Sequence, residues 1–165
     1  MTFHVGDTVV HWTFGMGKIV GVEERSLSGK DTLFYNVRVR DLTVYVPVDS
    51  RIDSRLRLPT PRRQFNKLFA ILQEPGKALT EDRLERKSTL RKGLAAGNAE
   101  MICQVIRDLS ALSHKKPLND DDKNILHRAQ GLLCAEWGFS LSVSIEQAES
   151  ELKRLLMNPA ANPTS

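Results

Sequence analysis

The change from strand to helix in this chain falls within residues 55–72, which read RLRLPTPRRQFNKLFAIL. Pro59 and Pro61 end the strand pattern, because proline lacks the backbone N–H that a β-ladder requires. From Phe65 onward the apolar residues recur at helical spacing. The sequence therefore predicts two modules that meet near residue 60.

The residues before this junction are typical of a small antiparallel sheet. Apolar residues alternate in short runs, and glycine or aspartate separates the runs at the spacing of turns. Gly15-Met16-Gly17-Lys18 is predicted as a tight hairpin, because a phosphate-binding loop needs the longer GxxxxGK[ST] spacing and a following helix. We predict a β-rich domain over residues 1–58.

The residues after the junction predict an all-α domain over residues 62–157, which makes the chain an α+β protein with two domains. Its five predicted helices begin at residue 62 and at the caps Thr80, Asn98, Asn119 and Ser144. The helix after Thr80 has few apolar positions, so we expect it to pack loosely and stay exposed. Residues 158–165, rich in Pro, Ala and Asn, are expected to be a disordered tail.

Composition argues against several classes of function. Cys103 and Cys134 lie in predicted helices without Cys or His at ligand spacing, so we expect reduced thiols, no metal and no cofactor. The four histidines stand outside any nucleophile pattern, so neither an enzyme nor a small-molecule substrate is expected. No apolar run is long enough for a membrane span and no signal pattern opens the chain, which predicts a cytoplasmic protein without a membrane partner.

Positive charge is concentrated just after the junction. Residues 59–97 hold nine Lys and Arg against four Asp and Glu, whereas the whole chain has a net charge of +4. A basic segment of this kind fits a phosphate-facing surface. A solvated helix face explains the same pattern without any ligand.

The two tryptophans have different expected roles. Trp137 lies just past an apolar helical stripe and is predicted to anchor the core rather than to stack on bases. Trp12 follows a strand and is expected at an exposed edge, where a partner can cover it.

Motifs in both modules resemble the CarD family, whose polymerase-interacting domain is shared with the transcription-repair coupling factor. In the sheet module the resemblance rests on Val5-Gly6-Asp7-Thr8-Val9-Val10 and on Asp41-Leu42-Thr43-Val44-Tyr45-Val46-Pro47. In the helical module it rests on Phe65-Asn66-Lys67-Leu68-Phe69-Ala70-Ile71-Leu72 and on Ile106-Arg107-Asp108-Leu109. The order of these motifs is kept over residues 3–157.

The resemblance implies a Tudor-like or SH3-like sheet module that docks on the β subunit of RNA polymerase. Docking in this family is similar to strand addition at an exposed sheet edge. The implied polymerase-binding residues are Arg25 and the edge strand Leu42, Thr43, Val44, Tyr45, Val46 and Pro47. Tyr45 stands where many members carry Arg, so it either makes an aromatic contact or faces solvent as an ordinary strand residue.

The resemblance also implies that the helical domain contacts promoter DNA at the upstream edge of the bubble, where a tryptophan wedges into the minor groove. An ungapped comparison back from Leu94-Ala95-Ala96-Gly97 places Arg83 at the tryptophan position, and a one-residue slip places Leu84 there. The implied DNA-binding residues are Arg62, Arg63, Arg83, Leu84, Arg86, Lys87 and Arg91. The chain therefore departs from the family at the wedge.

Two functions are compatible with these features. The first is a transcription regulator that binds polymerase and promoter DNA and modulates the stability of the open complex. The second is a polymerase-binding adaptor whose helical domain recruits a protein through an apolar patch around Trp137 and Phe139. A salt titration separates the two, because binding to phosphates weakens steeply with salt.

Overall fold

The computed structural model describes residues 2–157, which form two compact units that divide between Pro59 and Thr60. The first unit is an antiparallel sheet and the second contains five α-helices, so the predicted α+β class is confirmed. The tail predicted at residues 158–165 lies outside the described residues. None of the described helices is long and apolar enough to cross a membrane.

The sheet unit is built from consecutive antiparallel hairpins. The strands are β1 (Thr8–His11), β2 (Gly15–Leu27), β3 (Lys30–Val39), β4 (Leu42–Pro47) and β5 (Leu56–Arg57), in the spatial order β4-β3-β2-β1-β5. The hairpin predicted at residues 15–18 is present, but its turn consists of residues 12–14. Gly15 and Gly17 are part of β2, and Gly17 has no room for a Cβ against the Val37 side chain.

One face of the sheet covers a small apolar core. Its buried residues come from all five strands, from the chain before β1 and from the segment between β4 and β5, and they are Phe3, Val9, Ile19, Tyr35, Val37, Val39, Val46, Ile52 and Leu56. The sequence pattern missed a short helix, α1 (Ile52–Arg55), between β4 and β5. This helix adds Ile52 to the core, so the unit reaches a closed core despite its small size.

The helical unit begins with a 3₁₀ turn, Arg62–Gln64, which runs directly into α2 (Phe65–Gln73). The following helices are α3 (Arg83–Ala95), α4 (Ala99–Lys115), α5 (Asp120–Leu141) and α6 (Ile145–Met157). Helix α2 packs against α4 and α6, and α3 packs against α4 and α5. The buried faces of these helices make one core, and Trp137 lies in it beside Phe65 and Phe69, as predicted.

The helix caps follow the sequence prediction with one exception. Asn98 and Asn119 each accept a hydrogen bond at 2.8 Å from the backbone N–H three residues later, and Ser144 and Gln147 form the predicted capping box. The cap of α3 is Asp82, not Thr80, since the Asp82 carboxylate accepts from the Glu85 N–H at 2.9 Å. Ile145, which follows the Ser144 cap at the start of α6, is 50% exposed.

Candidate functional site

Strand β4 lies at one edge of the sheet and has a neighbour on one side only. It pairs with β3 in an unbroken antiparallel register, and no other described strand borders it. The segment Leu42–Pro47 carries no charged side chain. An uncharged strand with a free edge is a template onto which a partner strand can pair.

The register fixes which backbone groups of β4 face outward. The Val48 N–H donates to the Leu33 carbonyl at 2.8 Å, and in an antiparallel ladder the hydrogen-bonded residues alternate along the strand. Leu42, Val44 and Val46 therefore bond to β3. Thr43 and Tyr45 turn their N–H and C=O groups toward the free side.

The Pro47 end of this edge is closed. Proline has no N–H to offer, and the Pro47 carbonyl accepts a hydrogen bond from Arg55 Nη1 at 3.2 Å. Arg55 is held in place by an ion pair with Asp49 at 2.9 Å. The free part of the edge thus begins after the β3–β4 turn and ends at Tyr45.

Arg25 and Tyr45, which the family resemblance implies as polymerase contacts, touch each other on one face of the sheet. The Arg25 guanidinium carbon lies 4.1 Å from the centre of the Tyr45 ring, a cation–π arrangement. Arg25 Nη2 also pairs with Glu23 Oε1 at 2.9 Å. Both side chains stay close to half exposed, so a partner that pairs with β4 meets them together.

A second group of exposed aromatic side chains lies at the β1–β2 turn, toward the edge of the sheet opposite to β4. Trp12 is 41% exposed and Phe14 is 46% exposed, in agreement with the exposed position expected for Trp12. The His11 ring lies close to both of their rings, and its Nδ1 accepts hydrogen bonds from the backbone N–H groups of Thr13 and Phe14. Burial lowers the pKa of His11, which favours the neutral acceptor that this turn uses.

In the helical unit, the first turn of α3 presents both candidate wedge residues to solvent. Arg83 is exposed, and Leu84 is 80% exposed, the highest value among the large apolar side chains of residues 2–157. Arg91, on the same outer side of α3 two turns later, is exposed as well. Leu84 stands between Arg83 and Glu85, and Glu81 and Asp82 are also exposed at this helix start. Of these groups, the apolar side chain and the cations are chemically suited to a nucleic-acid groove.

Two of the predicted DNA-binding residues are not placed for that role. Arg86 was expected on the phosphate-facing surface, but it is only 3% exposed and both its Nε and Nη2 atoms bond to the Asp122 carboxylate, at 3.0 and 2.8 Å. This bidentate contact raises the pKa of Arg86. Lys87 is partly buried and pairs with Asp121 at 3.1 Å. The charge of Arg86 is therefore neutralised inside the domain by the Asp122 carboxylate.

Arg62 and Arg63 lie apart from α3, in the 3₁₀ turn that leads into α2. Together with Asn66 they line an open depression of about 580 Å³ whose apolar wall consists of Phe65, Phe69 and Leu141. Within the described part of the chain, neither arginine side chain is seen in an ion pair. The seven predicted DNA-binding residues thus fall into three sets. Arg62 and Arg63 precede α2, and Arg83, Leu84 and Arg91 are exposed on α3. Arg86 and Lys87 are paired with carboxylates.

The family-like segment Ile106-Arg107-Asp108-Leu109 has a structural role. Arg107 is 4% exposed and bonds to Glu74 at 2.7 Å and to Asp108 at 2.9 Å. Asp108 also accepts from the Lys77 N–H at 2.9 Å. These contacts hold the loop between α2 and α3 against α4. The segment therefore stabilises the fold of the domain and does not form part of a binding surface.

The apolar patch expected around Trp137 and Phe139 is not present as expected. Trp137 is 2% exposed, whereas Phe139 is 53% exposed. Glu23 and Asp122, the partners of Arg25 and Arg86, are not among the residues predicted from the sequence. Glu23 could have been found, because a residue two positions away on a strand faces the same side. Asp122 could not, because it lies 36 residues from Arg86 in the sequence.

Comparisons with known proteins agree with both units. The family model described as "CarD-like/TRCF RID domain" matches residues 3–58, and the model described as "CarD, C-terminal domain" matches residues 67–153. "Putative transcription factor YdeB" of Bacillus subtilis (strain 168) is 25% identical over 154 residues, which cover 90% of this chain and 98% of that protein.

An RID-type sheet unit followed by a CarD-type helical unit defines the class of protein, a CarD-like transcription factor. The family models together match more than half of the chain in the order that the fold shows. The chain belongs to the CarD family, as the sequence motifs indicated.

Proposed function

We propose that this protein regulates transcription by docking its sheet unit on the β-subunit lobe of bacterial RNA polymerase and contacting promoter DNA with its helical unit. The DNA contact is proposed near the upstream edge of the bubble, where it changes the stability of the open complex. The observation that carries the proposal is the free edge of β4, with Arg25 stacked on Tyr45 beside it.

Strand addition is the proposed mode of docking. The outward N–H and C=O groups of Thr43 and Tyr45 supply the backbone bonds, and the Arg25–Tyr45 pair supplies side-chain contact. Since Arg25 is already neutralised by Glu23, docking through a shared aromatic surface depends less on salt than docking through an isolated arginine.

The proposed DNA contact uses the exposed arginines that lack an internal partner among residues 2–157. These are Arg62 and Arg63 before α2, and Arg83 and Arg91 on α3. Leu84 is the proposed apolar contact to a base step, a smaller wedge than an aromatic ring. Arg86 and Lys87 are left out of this surface because of their pairs with Asp122 and Asp121.

Binding of the full chain to purified polymerase β-lobe tests the docking step. Arg25→Glu and Thr43→Pro are expected to weaken binding at least about tenfold, because the first reverses a contact charge and the second removes an outward N–H without touching the β3 ladder. Thr43→Val and Lys153→Glu are the matched controls, since Thr43→Val keeps the N–H and Lys153→Glu reverses an exposed charge in α6, outside the sheet unit. Equal binding by all variants would refute docking through this edge.

A salt titration of the polymerase–promoter complex tests the DNA contact. If Arg83 and Arg91 neutralise phosphates, changing both to Gln should reduce the slope of log K against log salt by roughly 2. The expected control is Lys67→Gln, since Lys67 already pairs with Glu100 at 3.0 Å. An unchanged slope in the double variant would remove α3 from the DNA interface.

The second candidate is an adaptor whose helical unit binds a protein. The exposed Leu84 and Phe139 side chains are the observation that favours it. Under this candidate the Leu84→Ala variant loses a protein partner and its effect is insensitive to salt, whereas the double arginine variant binds that partner normally.

A further inference from the structure

Helix α3 is attached to its domain in two different ways along its length. Its buried residues are Arg86, Leu90, Gly93 and Leu94, so the apolar attachment belongs to the second half of the helix. In the first turn, Leu84 and Glu85 face solvent. The buried contact of that turn with the rest of the unit is made by Arg86.

The Arg86 guanidinium joins three segments of the chain. Nε and Nη2 bond to the two carboxylate oxygens of Asp122 at 3.0 and 2.8 Å, and Nη1 donates to the Thr80 carbonyl at 3.0 Å. One planar group therefore connects the loop before α3, the first turn of α3 and the start of α5. Lysine cannot reproduce this, because an ammonium group lacks the flat fork that meets a carboxylate with two bonds.

The other half of the contact is held equally firmly. Asp122 is 2% exposed, and its backbone N–H donates to the Asn119 cap at 2.8 Å. The neighbouring Asp121 pairs with Lys87 at 3.1 Å at the rim of the same contact. The anchor on α5 is therefore part of a capped helix start and has little freedom to follow a displaced arginine.

We infer that the Arg86–Asp122 pair is a positioning device, which fixes the first turn of α3 so that Leu84 and Arg83 are presented in one direction. This inference rests on the proposed function, in which Leu84 and Arg83 are the contacts to DNA. Arg86 acts through the turn that it holds and touches no DNA itself. The first turn of α3 buries no apolar side chain, so this ion pair is the buried contact that can fix its geometry. The net stability that a buried ion pair adds is small, because the cost of desolvation offsets the attraction.

Amide hydrogen exchange on the full chain tests the anchor without DNA. In Arg86→Lys and Asp122→Asn, the amides of Glu85, Arg86 and Lys87 are expected to exchange at least about tenfold faster, while the core of α4, residues 102–109, keeps its protection. The control Glu151→Gln breaks the exposed pair with Arg154 and should leave α3 unchanged. Unchanged exchange in both anchor variants, or equal loss of protection in α4, overturns the inference.

A double-mutant cycle on the lifetime of the open promoter complex tests whether the anchor acts through Leu84. Arg86→Lys should change the lifetime in the same direction as Leu84→Ala and should add little when Leu84 is already alanine. Full additivity overturns the positioning role. If the wild-type chain has no effect on the promoter complex, the proposed DNA contact fails, and the exchange measurement alone then decides on the anchor.

Discussion

The Arg25 guanidinium lies over the Tyr45 ring at 4.1 Å, although the two residues belong to β2 and β4 with β3 between them. The register places both on the same face of the sheet, and Phe34 of β3 lies between them, 7% exposed. The contact therefore converts two separate residues into one surface beside the free edge. Side chains that share a surface should also share their effect on binding.

Alanine substitution of Arg25 and of Tyr45 is expected to be non-additive for polymerase docking. Each single change should weaken binding by about 1–2 kcal/mol, and the double change should cost less than the sum by about 0.5–1 kcal/mol, the size of an exposed cation–π contact. Titration calorimetry with the β-lobe measures the cycle. Tyr45→Phe is the control, because it keeps the ring; simple additivity would show that the two residues act separately.

Arg83→Trp is expected to lengthen the lifetime of the open promoter complex. Arg83 is exposed at the start of α3, so a tryptophan there can reach a groove without disturbing the core. Thr89→Trp, also exposed but later in the helix, serves as control and should have no effect. A filter-binding decay assay gives the lifetime, and equal lifetimes for all three proteins would mean that the start of α3 is not at the DNA.

Gly76→Ala is expected to destabilise the helical unit by about 1–3 kcal/mol, because a Cβ at Gly76 would overlap the Ala111 side chain. Gly131→Ala is the matched control, since Gly131 lies in α5 with open space around it and should be stabilised by up to about 1 kcal/mol. Chemical denaturation of both variants checks the opposite signs. Equal shifts would mean that the loop at Gly76 yields to the methyl group.

Both cysteines should resist thiol reagents in the native protein at pH 8. Burial raises the pKa of Cys103 to about 12 and that of Cys134 to about 11, so neither forms the reactive thiolate. Because the folded pKa values exceed the ordinary value of 9.0, the two thiols bind their protons more tightly in the folded protein than in the unfolded chain. The contribution of this difference to the free energy of unfolding is present below pH 9 and is lost as pH rises toward the folded pKa values. Timed labelling with a chromogenic disulfide checks this, and fast labelling without denaturant would contradict it.

Local patterns were sufficient for most of the fold. The turn residues around Arg40 and the alternation in residues 44–48 predict a hairpin, and the Asn98 and Asn119 caps mark helix starts within the chain itself. These features depend on neighbours in sequence. The core position of Trp137 likewise followed from an apolar stripe in its own helix.

Whether an individual arginine is buried or exposed could not be predicted from local patterns. Arg86 and Arg83 look alike in sequence, yet Arg86 is buried against a carboxylate 36 residues away while Arg83 is exposed. Which cation turns inward is decided by the packing of α3 on α5, a contact that periodicity does not report.

The closed end of β4 limits what a partner can gain from the backbone. Beyond Tyr45 the added strand meets Pro47, whose carbonyl is occupied by Arg55, so the ladder stops after the two groups of Thr43 and the two of Tyr45. At about 1 kcal/mol per hydrogen bond, so short a ladder corresponds to millimolar affinity by itself. The free edge of β4 therefore sets the register of an incoming strand over a short distance but contributes little affinity. The complex can exchange rapidly unless side-chain contacts stabilise it.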